Sequence, residues 1–226
     1  MKVFDGSTHA AIADFDAFEP SFRGGVRVAT GDVNGDGRAD LLLGTGPGAG
    51  QVKVLDANGL ALLGDFRPFG TAFSGGVFVA AGDLDGDGTA EPVIGPDENP
   101  NGEWRIYVLD DGFGTAPEDL DIMATIEPFV GFPGGIRVAT GDLDGDALAD
   151  LLFAPGPGHA PTVRRMRGFD RADLGDFDAF GPSFTGGIFV GAATIPTPEA
   201  DGAGVAALLG LAACARRRAA RPRAPD

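Results

Sequence analysis

Three short acidic segments carry the residue types that could do chemistry. They read Asp32-Val33-Asn34-Gly35-Asp36-Gly37-Arg38-Ala39-Asp40, Asp83-Leu84-Asp85-Gly86-Asp87-Gly88-Thr89-Ala90-Glu91 and Asp142-Leu143-Asp144-Gly145-Asp146-Ala147-Leu148-Ala149-Asp150. Side-chain oxygens recur at positions 1, 3, 5 and 9, and Arg38, Thr89 and Leu148 offer a main-chain carbonyl at position 7. Such a set would wrap a hard cation that takes six to eight oxygens, calcium above all. The cation would also relieve a crowding of carboxylates that otherwise raises their pKa values. Up to three calcium ions are expected. Glycine at position 6, as in Gly37 and Gly88, suits a sharp turn of positive φ, which costs other residues roughly 1 kcal/mol or more. Ala147 breaks that pattern, so the third loop is expected to bind most weakly and the first to lie closest to the ideal. In the second loop Glu91 stands where the others have Asp, and its extra methylene is expected to alter denticity.

A single loop of this kind could be a solvated turn, because Asp, Asn and Gly are the usual turn formers. Three copies sharing acids at positions 1, 5 and 9 make that reading a poor one. An EF-hand is excluded, since it needs a bidentate acid at position 12, where Leu43, Ile94 and Phe153 stand. Tandem nonapeptide calcium repeats are excluded by the wide spacing. Calcium could be wholly structural here, and that is the leading expectation.

The elements that must position these loops follow from an internal repeat. Gly-Gly pairs at Gly24-Gly25, Gly75-Gly76, Gly134-Gly135 and Gly186-Gly187 lie 51, 59 and 52 residues apart. Each of the first three is followed by a short β-branched run (Val26 to Ala29, Val77 to Ala80, Ile136 to Ala139) and then by the acidic loop. Alternation such as Val26-Arg27-Val28 predicts a half-buried strand. A second apolar run comes next (Leu41 to Leu43, Val93-Ile94, Leu151 to Phe153), then a Gly/Pro turn, a third strand typified by Gln51 to Leu55, and a fourth entering the next Phe cluster. Gly44, Gly46, Gly48 and Gly50 read as a turn. Phenylalanines recurring in phase, Phe18, Phe22, Phe69, Phe73, Phe129 and Phe132 among them, are expected to pack between units; a carbohydrate-binding aromatic surface is the rival reading.

Four antiparallel strands per unit is the pattern of a propeller blade. The expected fold is therefore all-β, a β-propeller-like array of four-stranded antiparallel blades. Three are complete (units about 14–64, 65–126 and 127–176), and one is split between partial ends 1–13 and 177–194. Met1 to Phe15 align without gaps on Val52 to Phe66, so the chain starts in the middle of a unit. Two alternatives follow. Either this is a fragment of a larger propeller, or the terminal strands pair to close a small ring.

Composition narrows the function. The 226 residues include 38 glycines and 17 prolines, which favour short strands and tight turns, and 43% hydrophobic residues, enough for a packed core. The net charge of −16 would repel phosphate backbones, so nucleic acid is not an expected partner. Cys214 is the only cysteine, which excludes an internal disulfide and a thiolate metal cluster. His9 and His159 lie in turn segments far apart along the chain. No GxSxG elbow or HExxH helix is present, so no catalytic residue is expected.

The string GGVxVAxGDxxGDGxxDxxxGxGPG resembles the FG-GAP repeat, also described as the VCBS-type repeat, of integrin-like β-propellers. The resemblance covers residues 1 to about 194. It implies calcium in the hairpin between the first two strands of a blade, and extracellular adhesion or ligand binding. Family propellers commonly have seven blades, more than this chain supplies. Residues 195–226 combine Pro196-Thr197-Pro198-Glu199-Ala200, an apolar stretch from Ala203 to Ala215 and an arginine cluster at Arg216, Arg217 and Arg218. They resemble a PEP-CTERM sorting signal, except that Ala200 replaces the second proline. That resemblance implies transient membrane anchoring through a short apolar helix, cleavage near Pro198-Glu199 by an exosortase, and a bacterial surface location. No signal peptide opens the chain, an expectation of sequence upstream of Met1.

The expected function is a calcium-binding, non-catalytic extracellular or cell-surface repeat protein for adhesion or matrix interaction, with a protein or polysaccharide ligand. The alternative is an accessory propeller domain of a larger secreted hydrolase or lyase.

Overall fold

The computed structural model describes residues 1–98, 105–110 and 120–192, and these form an all-β protein; no helix occurs among them. The segment 195–226, whose sequence resembles a sorting signal, lies outside the described residues. A hairpin of β1 (Lys2–Phe4) and β2 (Ala11–Asp14) opens the chain. Three four-stranded antiparallel sheets follow. The first contains β3 (Val26–Gly31), β4 (Asp40–Thr45), β5 (Val52–Leu55) and β6 (Leu62–Phe66). The second contains β7 (Val77–Gly82), β8 (Glu91–Pro96), β9 (Ile106–Leu109) and β10 (Ile122–Ile126). The third contains β11 (Ile136–Gly141), β12 (Asp150–Pro155), β13 (Thr162–Met166) and β14 (Asp173–Asp178). In each sheet the strands pair in chain order, as in a propeller blade.

The opening hairpin resembles the outer hairpin of the first sheet. Its turn repeats the one between β5 and β6: the Asp5 and Asp56 carbonyls accept the N–H of His9 and Leu60, and Arg167 does the same for Arg171 in the third sheet. His9, Leu60 and Arg171 all have φ between 57° and 64°. The cross-strand ion pairs also repeat, with Lys2–Asp14 at 3.5 Å, Lys53–Asp65 at 3.8 Å and Arg164–Asp176 at 3.4 Å.

The sheets stack through their first strands, β3 against β7 and β7 against β11. This stacking changes the burial that alternation predicts. Val77, Val79, Ile136 and Val138 are at most 9% exposed, whereas Val26 and Val28 are 41% and 49% exposed. β7 and β11 have a neighbour on both faces; β3 has one on a single face. Successive first strands are further linked at their second residue, where Arg27 lies 3.8 Å from the Phe78 ring centroid and Arg137 lies 4.9 Å from Phe78 and 5.1 Å from Phe189. Each such cation–π contact contributes about 0.5–2 kcal/mol. Arg27 also forms an ion pair with Asp97.

Gly44 departs from the turn expected for it, because it belongs to β4. A Cβ there would lie 2.9 Å from the Val77 carbonyl oxygen, so glycine admits the next sheet. The phenylalanines pack as expected. Phe18, Phe66, Phe73 and Phe129 are buried, and the pairs Phe18–Phe22 and Phe69–Phe73 meet edge to face with centroids 5.9 and 5.0 Å apart.

Candidate metal centre

Each acidic loop joins the first and second strands of a sheet. β3 pairs β4 from Val26↔Thr45 to Gly31↔Asp40, and the second and third sheets repeat that register down to Gly82↔Glu91 and Gly141↔Asp150. The ninth position is therefore the first residue of the second strand rather than part of the loop. Asp40, Glu91 and Asp150 are at most 2% exposed.

These buried acids fasten the loop. Asp40 Oδ2 accepts the Val33 N–H at 3.1 Å, Glu91 Oε2 the Leu84 N–H at 2.6 Å, and Asp150 Oδ2 the Leu143 N–H at 2.8 Å. The other oxygen of Asp40 accepts the Ala57 N–H at 3.2 Å, and that of Asp150 the Gly168 N–H at 3.0 Å. Both donors sit in the turn after the third strand, so one carboxylate ties two turns together. Burial, reinforced by neighbouring carboxylates, raises the pKa of Asp40 and Asp150 and pushes Glu91 up to about 7, against the lowering effect of these N–H groups.

Around this anchor the loop turns on its own side chains. The first-position carboxylate accepts the sixth-position N–H in every copy: Gly37 to Asp32 at 2.7 Å, Gly88 to Asp83 at 3.1 Å and Ala147 to Asp142 at 3.1 Å. The fifth-position carboxylate accepts the seventh-position N–H, from Arg38, Thr89 and Leu148. Position 6 has φ of 82°, 96° and 72° at Gly37, Gly88 and Ala147, so Ala147 adopts the left-handed conformation in spite of its Cβ.

Carboxylates converge in two of the three loops. Oxygens of Asp83, Asp85 and Glu91 lie within 4.8 Å of one another, as do those of Asp142, Asp144 and Asp146. These clusters could hold a metal ion, and their all-oxygen donor sets suit a hard cation. Asp87 and Asp150 stand outside the triads. Among the described residues the first loop forms no such carboxylate triad: Asn34 supplies an amide oxygen at position 3, and Asp40 is engaged by two N–H groups.

The loops are also chained across sheets. The Asp32 carbonyl accepts the Ala90 N–H and the Asp83 carbonyl the Ala149 N–H, each at 2.7 Å. One further participant escaped the motif: Arg167 Nε donates to Asp144 Oδ2 at 2.8 Å, placing a guanidinium against the third triad. Asp5, Asp56 and Asp110 occupy the corresponding turn position elsewhere, so the reversal of charge at Arg167 was the available signal. Among the described residues the two histidines join no carboxylate cluster. His9 is exposed in a turn, and the His159 ring centroid lies 5.0 Å from those of Phe129 and Phe132.

Residues 24–55, which run from Gly24 through β3, the first acidic loop and β4 to the end of β5, match the FG-GAP repeat family. Repeats of that family commonly bind calcium and typically occur in extracellular or cell-surface proteins. No curated protein matches the chain.

Proposed function

We propose that this chain is a calcium-binding, non-catalytic module that acts outside the cell or at its surface, in adhesion or matrix interaction. The observation that carries this reading is the placement of the acidic loops. In successive stacked sheets the same oxygen-rich loop closes the first hairpin, and its buried ninth acid fastens the loop, in the first and third sheets also to the turn after the third strand. Calcium at Asp83, Asp85 and Glu91, and at Asp142, Asp144 and Asp146, would bring positive charge to carboxylate oxygens that already lie together, and would offset the burial that disfavours ionised Glu91. The ion would supply charge and rigidity to the scaffold. The chain's own residues position the loops. The FG-GAP match over one repeat supports both the calcium and the extracellular setting.

The test couples the two halves of the reading. Beads coated with the protein should be retained on cells or on their extracellular matrix in millimolar calcium and released by EGTA. Retention indifferent to EGTA, or turnover of a polysaccharide or peptide substrate by the purified chain, contradicts the proposal.

A further inference from the structure

The first sheet carries a cleft of about 530 Å³ whose lining includes Phe18, Phe22, Gly48, Ala49, Gln51 and Arg67. The third sheet contains the corresponding place, and there it is filled. The segment Gly46-Pro47-Gly48-Ala49 repeats as Gly156-Pro157-Gly158-His159, with Gly48 and Gly158 at φ of 109° and 104°. Phe129 and Phe132 stand in the third unit where Phe18 and Phe22 stand in the first. The His159 ring packs against both, at 5.0 Å from each centroid and tilted by 58° and 64°. In the first unit alanine replaces that histidine, and the space beside Phe18 and Phe22 is open.

We infer that this cleft is a docking site for an aromatic or imidazole side chain of a partner polypeptide, with an acidic neighbour of that side chain held by Arg67. The inference deepens the reading of the chain as a binding module and rests on it. The molecule itself shows which shape the place accepts: a flat ring presented by a polypeptide, meeting two phenylalanine rings at an inclined angle, an arrangement aromatic rings prefer. The lining carries Arg23 and Arg67 against the single acid Glu19, and Arg23 is engaged by the Pro20 and Phe22 carbonyls, so the cation on offer is Arg67. Its guanidinium is half-buried on the cleft and has no ion-pair or hydrogen-bond partner among the described residues. In the third unit the residue following the fourth-strand phenylalanine is Asp178, bonded to Thr162 at 2.7 Å, so that position carries no cation there. A planar guanidinium suits bidentate capture of a carboxylate.

The test is a ¹H–¹⁵N titration of the full chain in calcium with three probes: the peptides acetyl-Asp-Tyr-Asp-amide and acetyl-Asp-Ala-Asp-amide, and an oligogalacturonate. The tyrosine peptide should shift Gly48, Ala49 and the Arg67 side chain saturably, and the alanine peptide should bind about tenfold more weakly, the equivalent of about 1.4 kcal/mol. Ala49→His should fill the cleft from within, as His159 does, and weaken the tyrosine peptide about tenfold. Arg67→Gln, which breaks no side-chain hydrogen bond or ion pair among the described residues, should weaken it severalfold while preserving the preference for tyrosine over alanine. The inference is overturned by no saturable shift, by equal binding of the two peptides, by unchanged binding to a folded Ala49→His or to Arg67→Gln, or by oligogalacturonate shifting these residues where the peptide does not. A negative titration on protein whose beads are still retained in a calcium-dependent way overturns the cleft alone.

Discussion

Ala147→Gly should stabilise the protein, and the size of the effect can be worked from the loop. Ala147 sits at φ 72°, a conformation that costs a residue with a Cβ about 1–2 kcal/mol. Glycine removes that cost but raises the entropy of the unfolded chain by about 0.4–1 kcal/mol. The net gain is about 0.5–1 kcal/mol. For a chain of this size, Tm moves about 2–4 °C per kcal/mol, so a rise of about 1–4 °C is expected in differential scanning calorimetry. The reciprocal substitution tests the same physics. Gly37 has φ 82° and nothing within 4 Å of a Cβ built on it, so Gly37→Ala introduces backbone strain without a clash. It should lower Tm by a few degrees. The reasoning is refuted if Ala147→Gly lowers Tm, or if Gly37→Ala leaves it unchanged.

Three further outcomes follow from the same loops. Arg167→Ala removes the guanidinium from Asp144 and should raise the calcium affinity of the third loop severalfold in titration calorimetry, because the cation no longer competes for that carboxylate; a lower affinity would show that Arg167 orders the loop instead. In EGTA, Glu91 should make the protein less stable to urea at pH 8 than at pH 5. Its folded pKa of about 7 lies above the ordinary 4.5, so its contribution is fully present below pH 4.5 and is lost as the pH rises through about 7. Glu91→Gln should flatten that dependence, and a profile identical to wild type refutes the assignment. Asp40→Ala leaves the Val33 and Ala57 N–H groups unpaired and should cost about 2–4 kcal/mol in urea denaturation, whereas Asp40→Asn retains one acceptor and should cost less.

Much of the fold was legible because the same local chemistry is written several times. The Gly-Gly pair, the β-branched run and the Asp/Gly loop locate the first hairpin of each sheet, and the alignment of Met1 to Phe15 on Val52 to Phe66 is realised as the shared turn at Asp5 and Asp56. Burial was harder to read. Val26-Arg27-Val28 and Ile136-Arg137-Val138 are alike in pattern, yet Val28 is exposed and Val138 buried, because exposure depends on which sheet stacks alongside. The site was legible in its donor types and in the strain at Ala147. The double duty of Asp40 and Asp150 was hidden, since the N–H groups of Ala57 and Gly168 reach them only across a strand that folding brings back. The first loop, closest to the ideal in sequence, is not the one whose carboxylates converge: both triads include the carboxylate at position 3, Asp85 or Asp144, and there the first loop has the amide of Asn34.

The most direct measurement is thermal melting of the full chain in millimolar calcium and again in excess EGTA. A ligand that binds only the folded state stabilises it by RT ln(1 + [L]/Kd), about 2.7 kcal/mol for one site at a hundredfold excess over Kd. The loops predict a Tm higher by at least several degrees in calcium, with the increment reduced when Asp83 or Asp142 is replaced by Ala. A Tm that does not move between calcium and EGTA contradicts the assignment of these loops as calcium sites.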